Sequence, residues 1–193
     1  MSYLTDEQIL NIKSNVSLLS IKDVGDISHY SFNSQIEEYN YFLEIADKFY
    51  DINISKTFLL IHNSTKELIA YMTLSADSIR LTSEEKDVHD ISKVPYASIP
   101  ALKIGKLAVN KELSEIAKMK GYGSFMLELA RAFAYSMNDM GIACRFITVD
   151  ADIEYDADTP LFYKKNGFVE NLSNKSRNAK HTISMRKDIF TDN

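Results

Sequence analysis

The stretch KMKGYGSFMLELA, Lys118 to Ala130, sets two glycines directly before an apolar run with helical spacing. Glycine weakens a helix and loses more backbone freedom on ordering than any other residue. Placing two of only six glycines in 193 residues there needs a reason. The unpaired N–H groups at a helix N-terminus, together with the macrodipole, form an anion site. Gly121 and Gly123 would let the backbone approach a phosphate, and Lys118 and Lys120 add positive charge beside it. The segment lacks the GxxxxGKS/T pattern of a nucleotide-binding P-loop and the spacing of a dinucleotide fingerprint. A second reading stays open at this point: the glycines serve only a tight turn and close packing of helix on sheet.

Working outward, Phe125, Met126, Leu129, Ala130, Phe133 and Met137 form one helical stripe that ends at Gly141. Upstream, PALKIGKLAVN (Pro100 to Asn110) reads as a strand whose parity breaks. Leu102 and Ile104 share one face, whereas Leu107 and Val109 take the other parity. One inserted residue near Gly105 or Lys106, a β-bulge, would restore a continuous apolar face. Further upstream the reading gives a strand over Asn15–Asp23, a helix over Gln35–Tyr50, and a hairpin of Thr57–His62 with Glu67–Ser75. The acidic stretch from Asp77 to Ile99 reads as a long loop with a short helix, and Glu84, Glu85, Asp87 and Asp90 as a solvated face. Downstream come a buried strand over Ile142–Asp150, a short helix in ADTPLFYKKNGF stopped by Gly167, and a closing hairpin of FVENL with KHTISMRK. The order predicts one α/β (α+β) domain over 1–193, a mixed sheet with helices on both faces.

Composition bounds the function. With 45% hydrophobic and 25% charged residues the chain is an ordinary globular protein rather than a disordered one. Its longest apolar runs, such as Phe58–Ile61, are too short to span a membrane, and its start lacks a signal-peptide pattern. The single cysteine, Cys144, excludes an internal disulfide framework and fits a reducing cytoplasm; mid-strand, it reads as a small buried hydrophobe. His29, His62, His89 and His181 have no metal-ligand spacing, so no metal is predicted. A net charge of −5 argues against a general nucleic-acid binder but leaves room for local basic patches, between Lys103 and Lys120 and between Lys175 and Lys187.

Three segments, in order, resemble the GNAT N-acetyltransferases. KMKGYG resembles the family's acyl-CoA signature, with Lys118 in the basic first position usually held by Gln or Arg. IGKLAVN resembles its bulged strand, and PLFYKKNGF its late helix carrying a tyrosine. The resemblance implies a mostly antiparallel GNAT sheet with a bulged central strand. More loosely, FNSQIEEYNYFLEIA, KTFLLI and LIAYMTLSADSI resemble the subgroup that includes tRNA-acetylating toxins, with Gln35 where glycine is usual.

The same resemblance implies acetyl-CoA as cosubstrate. Lys118, Met119, Lys120, Gly121, Tyr122, Gly123 and Ser124 would bind its pyrophosphate, while Leu107, Ala108 and Val109 would offer backbone to the pantetheine amides. An acceptor amine would attack the thioester directly, and Tyr163 would protonate the leaving thiolate. Asp150, at the end of its strand, is the carboxylate expected to contact the acceptor. Because ALKIGKLAV contains no carboxylate to act as a base, the acceptor must arrive largely neutral. At pH 7.5 an α-amine is roughly a quarter to 40% neutral, against ~0.1% for a lysine side chain. A small-molecule or peptide α-amine is therefore expected. The alternatives are aminoacyl-tRNA, with the chain a toxin held by an antitoxin partner, and a non-catalytic acyl-CoA- or partner-binding module. A homodimer is compatible with each.

Overall fold

The computed structural model describes residues 4–172 and 181–191. Its strands form a seven-stranded sheet in the order β1-β2-β3-β4-β5-β7-β6. The β4–β5 pairing is parallel, and β1–β2, β2–β3, β5–β7 and β6–β7 are antiparallel. The chain divides into two compact units, Leu4–Ser75 with Gly105–Glu128, and Ala76–Ile104 with the residues from Leu129 onward.

The first unit opens with α1 (Asp6–Asn15), a helix the apolar pattern does not announce. Its signal is local: Thr5 and Gln8 form a reciprocal capping box, with Asp6 and Glu7 in the first turn. β1 (Val16–Ser20), α2 (Glu37–Asp51), β2 (Lys56–His62) and β3 (Leu68–Arg80) follow. The hairpin is where the sequence puts it, with Lys66 at φ +62° in the turn. The core gathers Leu43 and Ala46 of α2 against Ile21, Leu59, Ile61, Tyr71 and Ala108. Burying a leucine such as Leu43 stabilises the fold by about 2 kcal/mol. Leu60, of the opposite parity to Leu59, is equally inaccessible, so both faces of β2 are covered.

The second unit corrects the reading of Asp77–Ile99 as a loop. β3 continues to Arg80, α3 occupies Ser83–Val88, and β4 begins at Ser98 and runs to Val109. Glu84, Asp87 and Asp90 are exposed as expected, but Glu85 is 3% exposed. It closes a second capping box with Thr82 and receives the buried Arg186 guanidinium at 2.6 Å. Ile99 and Ala101 of β4 pack with Ile79, Leu81 and Phe146. Leu102 and Ile104, of the other parity, are buried as well, so both faces of this part of β4 are covered.

α4 (Tyr122–Asp139) contributes residues to both units, as do β3 and β4. β5 (Phe146–Asp152) starts four residues later than the apolar run suggested, so Cys144 precedes the strand rather than lying within it. Its thiol is buried, which raises its pKa, and Asn138 bonds both its N–H and its carbonyl. α5 (Thr159–Lys165) ends as predicted at Gly167, φ +83°, where the Phe168 N–H bonds back to the Tyr163 carbonyl. β6 (Val169–Glu170) and β7 (Thr182–Asp188) form the closing hairpin. Residues 175–180 of the basic run 175–187 lie outside the described residues.

Candidate active site

In the first unit the site begins where β4 ends. The buried Asn110 side chain donates to the Ser31 and Leu68 carbonyls and accepts the N–H groups of Asn33 and Glu112. Its own N–H bonds to the Ile69 carbonyl at 2.7 Å, so β4 delivers the chain in a defined place. Glu67, from the end of the β2–β3 turn, takes the Ser114 N–H at 2.8 Å and the Ser114 hydroxyl at 2.6 Å. Those bonds hold the Glu67 carboxyl down at about 2. Ser114 in turn accepts the N–H groups of Ala117 and Lys118, shaping the turn before the glycines.

Tyr122, 2% exposed, donates its hydroxyl to the Ala117 carbonyl at 2.7 Å, and burial raises its pKa. Gly121 stands at φ +101°, and a Cβ there would lie 2.7 Å from Leu4 Cδ2 and 3.6 Å from Ile12 Cδ1. The backbone angle therefore demands glycine at 121, and a Cβ there would also displace the Leu4 side chain. The backbone angle accounts for one glycine of the pair; Gly123 is half-buried in the first turn of α4. Phe125 is the first residue to bond back into the helix start, to the Gly121 carbonyl. Among the described residues, none of the N–H groups of Met119–Ser124 has a hydrogen-bond partner. Consecutive free N–H groups at the positive end of an 18-residue helix fit a phosphate-sized anion. The exposed Lys118 and Lys120 flank them, Lys118 in only a 3.4 Å contact with Glu115.

Leu107, Ala108 and Val109 belong to the same unit as this cradle. Ala108 is buried in the core with Leu43 and Tyr71, while Leu107 and Val109 are half-buried. They lie beyond Ala101–Ile104, the segment of β4 that pairs with β5. Just before them, the Lys106 N–H donates to Thr73 Oγ1 at 2.9 Å, and a Cβ on Gly105 would meet the same oxygen at 2.8 Å. A side chain thus enters the ladder at the point where the sequence parity breaks. Asn110, Glu67 and Ser114 are missed by sequence reasoning, because the side-chain bonds that tie them to other segments span 42, 47 and 79 residues.

The second unit holds Tyr163 and Asp150. Tyr163 lies on α5, which packs on β5. It is 6% exposed, with edge contacts to Phe162 at 5.1 Å and Phe168 at 5.4 Å between ring centroids. Asp150 is exposed and forms an ion pair with Lys103 of β4; β5 runs on to Asp152, so Asp150 lies within the strand rather than at the end the sequence suggested. Among the described residues, no group of three or more His, Cys, Asp or Glu is arranged to hold a metal ion. No helix among them is long and apolar enough to cross a membrane.

With the fold and the candidate residues of each unit in view, the class can be stated: the chain has the fold of the GNAT acetyltransferases. It is similar to a tyrosine-to-phenylalanine mutant of KacT (TM-score 0.66, 21% identity, covering 89% of this chain and 94% of that one). It is similar also to AtaTR bound with acetyl-CoA (TM-score 0.64, 21% identity, 89% and 93%). A third likeness is to AtaT complexed with acetyl-methionyl-tRNAfMet (TM-score 0.64, 21% identity, 88% and 94%). The chain matches no protein-family model and no curated protein by sequence.

Proposed function

We propose that the protein is an acetyl-CoA-dependent N-acetyltransferase acting on an α-amine. The observation that carries this reading is the set of free N–H groups over Met119–Ser124 at the N-terminus of α4. The acyl-CoA signature of the resemblance falls on those same residues. Lys118 and Lys120 add attraction for the pyrophosphate, and Leu107–Val109 offer backbone to the pantetheine arm. Tyr163 is the proton donor. As the amine nitrogen bonds to the thioester carbon and the C–S bond breaks, the phenol hands its proton to the thiolate. Water then restores the phenol, and the amine's surplus proton leaves to solvent.

The likeness to AtaT in complex with acetyl-methionyl-tRNA favours the α-amine of an aminoacyl-tRNA, with the chain acting as a toxin that an antitoxin restrains. The net charge of −5 favours the other reading, a free small-molecule or peptide α-amine, since tRNA binding draws on phosphate contacts by Lys and Arg.

Gly123→Val tests the cradle by placing a β-branched side chain where the phosphate would approach. Calorimetry should show coenzyme A affinity falling at least tenfold while circular dichroism stays native. Unchanged affinity in a folded variant would remove the central claim. Thiol release from acetyl-CoA, measured with aminoacyl-tRNA, amino-acid amides and lysine peptides side by side, then identifies the acceptor. Preference for charged tRNA, weakening steeply with salt, selects the toxin reading.

A further inference from the structure

In the second unit the strand registers put a polar face where sheet interiors are usually apolar. Lys103 stands opposite Thr148, and Asp150 opposite Ser184. Residues of the other parity, Ile104, Ile147, Val149 and Met185, are buried and apolar, as central strands require. The polar side lines a cavity of about 450 Å3, a volume suited to a small ligand. Its wall includes Asp77, Lys103, Thr148, Asp150, Asn171 and Ser184, with Ile79 the one apolar residue among those lining it.

The wall is built rather than incidental. Thr148 and Asn171 are each 3% exposed, and both are hydrogen-bonded to other cavity residues. The Thr148 hydroxyl donates to Asp77 Oδ2, and the Asn171 amide donates to Ser184 Oγ at 2.9 Å. Asn171 is anchored from behind by Arg186, whose guanidinium donates to its Oδ1 at 3.0 Å and to Glu85 at 2.6 Å.

The two carboxylates of the cavity differ. Asp150 is neutralised by Lys103. Asp77 accepts the Ser78 N–H and the Thr148 hydroxyl and, among the described residues, forms no ion pair within 4.0 Å, although Arg80 and Lys103 line the same cavity. A half-buried carboxylate with two neutral donors retains affinity for a cation. We propose that this cavity receives the amine-bearing end of the acceptor, with Asp77 binding its ammonium and the hydroxyl and amide groups holding a polar neighbour.

The proposal rests on the acetyltransferase reading and narrows its substrate class to a primary α-amine flanked by hydrogen-bonding groups, rather than an apolar or aromatic amine. At neutral pH an α-amine of pKa about 7.7 to 8.0 enters mostly as its ammonium. This replaces neutral arrival, which the strand's lack of a carboxylate suggested, with capture as the ammonium: the amine then leaves Asp77 by giving one proton to water, and the neutral form attacks. A charge-assisted hydrogen bond of this kind is worth roughly tenfold or more in affinity.

The test uses serinamide, which carries an α-amine, a hydroxyl and a carboxamide, titrated into the isotope-labelled full chain. Saturable shifts should appear at the backbone amides of Asp77, Thr148 and Ser184, with phenylalaninamide binding at least tenfold more weakly. Asp77→Asn, which keeps the shape and the Thr148 bond, should weaken serinamide at least tenfold and leave coenzyme A affinity unchanged. Shifts confined elsewhere, no saturable binding, equal affinity for phenylalaninamide, or a folded Asp77→Asn variant within twofold of the parent would each overturn the proposal. Should that variant not fold, the parent's shift map and amide preference decide. Displacement of serinamide by aminoacylated but not deacylated tRNA assigns the amine to charged tRNA; no displacement assigns it to a free small amine. Serinamide bound at Asp77 without thiol release from acetyl-CoA would remove the acetyltransferase reading while leaving the amine site.

Discussion

Tyr163 is held by rings on two sides, and that packing separates its structural role from its proposed chemical one. Tyr163→Phe keeps the ring between Phe162 and Phe168 and deletes only the hydroxyl. Turnover should fall by roughly 10²- to 10⁴-fold, the usual range for general acid catalysis. Coenzyme A affinity by calorimetry should hold. A loss below threefold in kcat, with chemistry rate-limiting, would mean that another group protonates the thiolate. Gly121 makes the complementary point at the same scale: its φ of +101° favours glycine for a reason that involves no ligand.

At the scale of elements, α3 is bound to β7 by charge. Arg186 is buried, which lowers its pKa, and Glu85 and Asp188 counter that shift. Glu85 also accepts the Leu172 N–H at 2.9 Å, and its other oxygen takes the Thr82 N–H at 2.8 Å. Arg186 Nε donates to His89 Nε2 at 3.4 Å, so the His89 Nδ1–H is left to donate to Asp188 at 3.0 Å. Glu85→Gln would leave the Arg186 charge buried beside a neutral amide. Breaking one side of a buried pair costs about 3–5 kcal/mol. Urea unfolding should reveal a loss of that order, and Glu84→Gln, one residue earlier on the exposed side of the helix, should leave the midpoint where it is. Equal effects from the two substitutions would show that the Glu85–Arg186 pair contributes nothing.

For the molecule as a whole, Asp188 and Glu67 contribute to the loss of stability in acid. Burial pushes the Asp188 carboxyl up, but hydrogen bonds from His89, the Phe190 N–H and Arg145 together outweigh it, and the net shift is downward. Glu67 is likewise depressed, to about 2. A carboxyl whose folded pKa lies below its unfolded value, about 4, contributes stability above that value and loses it as pH falls through the folded pKa. Unfolding free energy should therefore be flat with respect to these two groups above about pH 5 and decline from there toward pH 2. Glu67→Gln should make that decline shallower in urea titrations across the range. An unchanged slope would mean that Glu67 and Ser114 are equally well paired in the unfolded chain.

Periodicity and glycine placement made the hairpin, the long helix and the Gly167 stop legible from sequence, because each is a contract between residues a few positions apart. Even α1 was legible in principle, through Thr5 and Gln8. What needed the tertiary structure was the meaning of charge. Glu85 sits in an acidic run that reads as solvent-facing, yet its partner is Arg186, 101 residues on. Asp77 reads as a loop residue, but β3 extends beyond it and sets its carboxylate against Thr148 of β5, 71 residues away. Apolar burial repeats with the helix or strand period and so marks the sequence. A polar side chain's burial depends on one partner brought from elsewhere in the chain, and no local pattern encodes that partner.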